Sequence, residues 1–121
     1  FEPGRFIVGN AGVLVARVIY VKQGASRRFV VLDAAMNDLI RPAMYDAWHE
    51  FVPVKAPAPG AALAPVDIVG PICESGYILG RDRWIPDPRP GDVLLIENAG
   101  AYGCTMSSRY NLREPAREVI I

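Results

Sequence analysis

The chain is poor in the features that mark several classes of protein. It has only two cysteines among 121 residues, Cys73 and Cys104, which is too few for a disulfide scaffold and lacks the paired spacing of a zinc site. Its formal net charge is zero, whereas a nucleic-acid surface needs an excess of basic side chains. No apolar run approaches the roughly 18 residues of a membrane span, and no signal-type segment opens the chain. We therefore expect a cytoplasmic protein with reduced thiols and no metal, nucleic-acid or membrane partner.

What the chain does contain is typical of one globular domain. Hydrophobic residues make up 51% and charged residues 21%, enough for a sizeable core. The chain begins in a Pro3-Gly4 turn and stops at Glu118-Val119-Ile120-Ile121, which is typical of an unfinished strand. Because natural domains rarely end within an apolar element, both ends suggest a piece of a longer protein.

Short apolar segments separated by Gly and Pro predict a mainly β domain. They favour a Greek-key barrel or sandwich of about six or more strands with one short helix. The segment 75–80 is ambiguous. Strands are predicted over 12–22, 28–34, 49–55, 66–69 and 93–97, the helix over 39–48, and loops over 56–65 and 83–90.

Two clusters of polar residues in the first half of the chain are candidate binding sites. In Glu2-Pro3-Gly4-Arg5, the carboxylate could hold a pyridinium proton and the guanidinium could bind phosphate or carboxylate. A surface ion pair is the plainer alternative. Arg41 and Tyr45 are four residues apart, so on a helix they would share a face and could bind one carboxylate. The alternative there is a solvated face of an amphipathic helix.

Two further clusters lie in the second half. Cys73 stands beside Glu74 in a Gly-bounded turn, where a thiol could transfer a proton near neutral pH. Small residues flank Tyr102 in Ala99–Gly103, so that a ligand could approach the backbone while the ring stacks or its hydroxyl donates. The only histidine, His49, is more typical of a structural than a catalytic residue.

These four clusters, in this order, resemble the fold-type III decarboxylases that depend on pyridoxal 5'-phosphate (PLP), and most closely the diaminopimelate decarboxylases. EPGR is shared with ornithine and arginine decarboxylases, whereas DAAMNDLIRPAMYDAWHE, GPICESG and AGAYG followed by MSSRYN are more specific. The sequence departs from the family at Tyr77, usually Asp, and over 112–116, usually Ser-Arg-Pro-Arg-Pro. The resemblance implies a C-terminal β domain over residues 1–121, with residues 1–10 as the tail of a PLP-binding α/β barrel that is missing here.

The resemblance also implies roles around the cofactor. Glu2 would pair with the pyridinium nitrogen of PLP. Gly4 and Arg5 would lie beside the phosphate and the substrate. Tyr102 would touch both cofactor and substrate.

A second set of implied roles concerns the substrate, diaminopimelate. Arg41 and Tyr45 would hold one of its carboxylates, and Glu74 would contact the amino group at its distal, D-configured carbon. Cys73 would supply the proton that replaces the departing CO2. Cys73 and Glu74 would reach into the neighbouring subunit's site, which makes the active unit a homodimer.

The implied activity is decarboxylation of meso-2,6-diaminopimelate to L-lysine in lysine biosynthesis. The chain's two lysines, Lys22 and Lys55, match no motif of the cofactor-anchoring (Schiff-base) lysine, so we expect the chain alone to be inactive. Two alternatives remain: a sibling decarboxylase of another basic amino acid or polyamine precursor, and a non-catalytic β domain that dimerises or binds a ligand.

Overall fold

A computed structural model describes residue 1 and residues 3–121 of the chain. Its strands and helices are short and are joined by turns, four of which are 3-10 turns. The 3-10 turns span Gly9–Ala11, Ser75–Tyr77, Cys104–Met106 and Tyr110–Leu112. The longer elements are α1 (Gly4–Val8), β1 (Leu14–Gln23), β2 (Arg28–Leu32), α2 (Arg41–Tyr45), β3 (Phe51–Pro53), β4 (Leu63–Val69), β5 (Ile78–Pro86) and β6 (Val93–Ile96).

The six strands form one mixed sheet in the order β3-β6-β1-β2-β4-β5. Every neighbouring pair is antiparallel except β2 and β4, which run parallel with Val30 opposite Ile68. A parallel pair needs a long crossover connection. Here the crossover carries α2 and β3, and it contains the whole DAAMNDLIRPAMYDAWHE motif, residues 33–50.

Side chains bring the two edge strands of this sheet together, so that it is nearly closed. A Cβ on Gly80 of β5 would lie 2.7 Å from the ring of Phe51 in β3 and 2.6 Å from Nε of Arg83. The Arg83 guanidinium lies 3.1 Å from the centre of the Trp48 ring, a cation–π contact. Gly80 thus leaves room for Phe51 and Arg83 to close the barrel.

The interior of the barrel is apolar and receives side chains from all six strands. Alternating residues point inward along β2 and β6, as the pleat of a strand requires. One buried acid, Asp67, is paired with Arg27 at 2.9 Å and accepts from the Asp82 N–H at 2.9 Å. The least exposed large side chains are Val18, Val30, Leu32, Val66, Ile68, Leu79, Leu94 and Ile96, together with Asn37, Leu39 and His49 from the crossover.

The mainly β, barrel-like fold is confirmed, but several predicted bounds are wrong. Residues 63–65 and 83–86 are strand rather than loop, because prolines are tolerated where a strand end has an unpaired edge. Pro86 ends the edge strand β5, and Pro65 lies before the part of β4 that pairs with β2. Pro53 likewise ends the edge strand β3.

The helices also differ from the prediction. The single helix predicted over 39–48 is confined to α2, because Asp46 adopts a left-handed conformation (φ 51°) that ends it. Pro42 lies in its first turn, as predicted. A second short helix, α1, follows Pro3 where only a turn was predicted.

Candidate active site

Arg41, the first residue of α2, is held by both its backbone and its side chain. Its carbonyl accepts the Asp46 N–H at the helix end, and its guanidinium Nη1 lies 3.3 Å from Nε2 of His49. His49 is fully buried, and its Nδ1 lies 2.8 Å from the carbonyl oxygen of Glu97 just after β6. The end of β6 therefore fixes the imidazole, and the imidazole contacts Arg41.

Tyr102 is brought to the same end of the barrel by the turn after β6. This turn is tied to the segment after α1: Ala99 N–H donates to the Gly12 carbonyl at 2.9 Å, and Gly100 N–H to the Gly9 carbonyl at 3.0 Å. Tyr102 has a positive φ of 62°, which is strained for an aromatic residue. Its hydroxyl lies 3.9 Å from where a Cβ on Gly4 would stand.

Arg5, Arg41, Tyr45 and Tyr102 thus make up one set of side chains, here named the arginine group. Burial, first, and then the nearby charge of Arg5 lower the pKa of Arg41, while Tyr45 and Tyr102 oppose that shift. Within residues 1 and 3–121, neither guanidinium forms an ion pair. Tyr45 and Tyr102 are 60% and 48% exposed, so the group faces outward and favours an anionic ligand.

Cys73 and Glu74 lie in a second group, here named the thiol loop (residues 72–77). The Glu74 carboxylate accepts from the Tyr110 hydroxyl at 2.9 Å and from the Ser75 N–H at 2.6 Å. Both hydrogen bonds lower the pKa of Glu74, the one from Ser75 most, and so favour the carboxylate. Cys73 is exposed. The hydrogen bond to Glu74 and the charge of that carboxylate raise the pKa of Tyr110.

The thiol loop packs against α2 and the segment before it. A Cβ on Gly76 would lie 2.6 Å from Sδ of Met36 and 3.1 Å from Cβ of Ala43, so a larger residue would require both side chains to shift. Two backbone hydrogen bonds, Tyr77 N–H to Glu74 and Gly70 N–H to Tyr77, complete the turn despite the departure at Tyr77. Among the described residues, no hydrogen bond joins the thiol loop to the arginine group.

The structure therefore brings Gly4, Arg5, Arg41, Tyr45 and Tyr102 together. Cys73 and Glu74 lie in the loop that packs against α2, and among the described residues neither forms a hydrogen bond to the arginine group. Glu2 lies outside the described residues. Tyr110 is a polar contact that the sequence analysis quoted in a motif but gave no role. No helix within the part of the chain that the structure describes is long and apolar enough to cross a membrane.

Comparison with known proteins assigns the fold to a family. Residues 6–100 match the family "Pyridoxal-dependent decarboxylase, C-terminal sheet domain". This chain belongs to that family. The resemblance to diaminopimelate decarboxylases is also confirmed: over 121 residues the chain is 51% identical to "Diaminopimelate decarboxylase" of Zymomonas mobilis, covering 100% of this chain and 28% of that protein.

Solved structures of decarboxylases share the fold of this chain. The crystal structure of diaminopimelate decarboxylase from Helicobacter pylori complexed with L-lysine superposes with a TM-score of 0.82 at 43% identity, over 91% of this chain and 26% of that one. Lysine decarboxylase from Selenomonas ruminantium gives a TM-score of 0.77 at 26% identity, over 93% of this chain and 29% of that one. The chain spans less than a third of the length of these relatives.

The family name implies PLP as the cofactor, and the residues present fit part of a site for it. PLP carries a phosphate, and the arginine group offers two guanidinium groups without an acidic partner among the described residues. Gly4 has no side chain, and the Tyr102 hydroxyl lies close to it. This combination suits the close approach of an anionic ligand to the backbone.

Proposed function

We propose that this chain is the C-terminal domain of a PLP-dependent enzyme that converts meso-2,6-diaminopimelate to L-lysine. In this reaction one carboxylate leaves as CO2 and a proton takes its place. When bound, PLP would serve as the sink for the electrons left by the departing CO2. The rest of the work falls to side chains that bind, orient and protonate the substrate.

The observation that carries this proposal is the convergence of Arg5, Arg41, Tyr45 and Tyr102 in a chain of this family. Gly4 and Arg5 would lie beside the phosphate, and Tyr102 beside cofactor and substrate. Glu2 would pair with the pyridinium nitrogen. Diaminopimelate has a second amino-acid end, and a guanidinium beside a phenol provides several donors for its carboxylate.

The thiol loop would supply the remaining groups. Cys73 would give the proton that replaces CO2, and Glu74 would hold the ammonium group at the distal carbon. Tyr110 and the Ser75 N–H support this role because they hold Glu74 as a carboxylate.

We further propose a homodimer in which the thiol loop of one subunit completes the site of the other, since no hydrogen bond joins the loop to the arginine group among the described residues. In the chain described here the thiol loop faces Met36 and Ala43, whereas Arg41 faces His49. Exposed Cys73 and Glu74 are free to reach across a subunit boundary. We expect the assembled enzyme to be cytoplasmic, in keeping with two exposed, unbridged thiols.

The likeness to the Selenomonas lysine decarboxylase favours one alternative. In this alternative the enzyme is a sibling decarboxylase that acts on lysine or another basic amino acid. Such substrates lack the second carboxylate. An arginine placed for that carboxylate would then have no partner, which is unfavourable where it is partly desolvated.

The test compares substrates on the complete polypeptide that contains this chain. With PLP present, CO2 release from meso-diaminopimelate should be far faster than from L-lysine or L-ornithine, and L-lysine should accumulate. Comparable rates for all three would transfer the proposal to the sibling decarboxylase. The 121-residue chain alone should release no CO2, because its lysines match no cofactor-anchoring motif. CO2 release by the 121-residue chain alone would contradict the conclusion that it lacks the cofactor-anchoring lysine.

A further inference from the structure

His49 lies directly behind the arginine group with both ring nitrogens engaged. Nδ1 faces the Glu97 carbonyl oxygen at 2.8 Å, and a carbonyl oxygen can only accept. Nδ1 must therefore carry the hydrogen, which leaves Nε2 with a lone pair. Arg41 Nη1, at 3.3 Å from Nε2, is then the donor of the second hydrogen bond.

We propose that His49 is a positioning residue, which holds Arg41 through Nε2 so that the other N–H groups of its guanidinium face an anionic ligand. The inference rests on the proposed function, because it takes carboxylate binding as the task of Arg41. It adds His49, a buried residue that the sequence analysis considered structural, to the residues on which carboxylate binding depends.

A neutral acceptor suits this task better than a carboxylate. A carboxylate at the position of His49 would form an ion pair with Arg41 and compete with the carboxylate of the ligand. The imidazole engages one of five N–H donors and leaves the guanidinium charge uncompensated. Burial supports the neutral form, and the charges of Arg41, Arg5 and Arg83 oppose its protonation further.

The fixed end of the arrangement is the barrel itself. Glu97 N–H donates to the Glu50 carbonyl at 3.0 Å, which ties the segment after β6 to the one before β3. The Glu97 carbonyl then orients the ring of His49. The side chain of Arg41 is thereby held in place by the sheet as well as by α2, which is a helix of only five residues.

Two substitutions separate positioning from core packing. In His49→Asn the amide N–H can replace Nδ1 towards Glu97, but nothing replaces Nε2. In His49→Gln the amide oxygen can replace Nε2 towards Arg41, but the Glu97 hydrogen bond is lost. Each variant loses one hydrogen bond of the imidazole, so each serves as the stability control for the other.

In the complete polypeptide, His49→Asn should raise KM for diaminopimelate about tenfold, with a smaller change in kcat, while His49→Gln should stay within about twofold of the unaltered enzyme. Crystal structures of both variants should show Arg41 displaced in His49→Asn and retained in His49→Gln. Equal KM values for the two variants, or an undisplaced Arg41 in His49→Asn, would overturn the inference. If the unaltered enzyme does not act on diaminopimelate while Arg41 shifts as expected, the proposed function fails and the positioning of Arg41 stands.

Discussion

Acidification should destabilise this protein through its one histidine. His49 is fully buried, and burial is the main reason why its pKa is lowered from the ordinary value of 6.5. The charges of Arg41, Arg5 and Arg83 lower it further, and the hydrogen bond to the Glu97 carbonyl opposes the shift. The unfolded chain therefore binds more protons than the folded one below about pH 6.5, and acid favours unfolding.

The size of the effect follows from linkage. Stability from this group is fully present above the unfolded pKa of 6.5 and is lost as the pH falls towards the lowered native pKa. Between those two pKa values each pH unit costs about 1.4 kcal/mol. Most carboxylates have ordinary pKa values of about 4 and therefore titrate mainly below pH 5.

Urea denaturation of the 121-residue chain over about pH 5 to 8 would measure this dependence, because no other histidine contributes. His49→Gln is the matched control, since it keeps a polar side chain of similar length and has no group that titrates here. The free energy of unfolding should fall with acid in the unaltered chain and stay nearly level in His49→Gln. Parallel curves for the two proteins would refute the argument that a buried, neutral imidazole underlies the slope.

Two further predictions concern the complete enzyme. Cys73→Ala should lower kcat by about 10²–10⁴-fold while PLP remains bound, because one positioned acid is lost; an unchanged kcat would show that another group or water delivers the proton. Arg41→Lys should raise KM for diaminopimelate more than Tyr45→Phe does, because lysine lacks the planar fork that makes two parallel hydrogen bonds. Tyr45→Phe removes one phenol donor, which costs about 0.5–1.5 kcal/mol, or up to about 3 kcal/mol if the donor meets a charge. Steady-state kinetics on the two variants checks the order, and the reverse order would contradict a bidentate role for Arg41.

The sequence predicted the strands that are rich in branched apolar residues. β1, β2 and β6 fall within two residues of their predicted bounds, because Val, Ile and Leu dominate them. The strand predicted over 66–69 lies within β4, but the start of β4 at residues 63–65 and the part of β5 over 83–86 were missed, since composition cannot show where a proline lies at an unpaired strand edge. The length of α2 also escaped prediction, because Asp46 ends it through a backbone conformation that the helix pattern did not reveal.

The candidate site was predictable where its residues lie in local motifs and unpredictable where they meet across the fold. Arg41 and Tyr45 are close in sequence, and their common face follows from helical spacing. The contact of His49 with Glu97 spans 48 residues, and that of Glu74 with Tyr110 spans 36. Such pairings depend on sheet order and loop packing, which a single sequence does not encode in any short pattern.

The positive φ of Tyr102 has a consequence for how this domain can vary. At φ 62° an aromatic residue is disfavoured, and glycine or asparagine would relieve about 1 kcal/mol of backbone strain. If selection acted only on folding, mutation would therefore replace Tyr102 with one of these residues. A library of random variants selected for stability should accumulate Gly or Asn at position 102, whereas one selected for growth in medium that lacks the enzyme's product should retain the ring. The difference between those two libraries would measure how strongly function, rather than folding, determines the residue at this position.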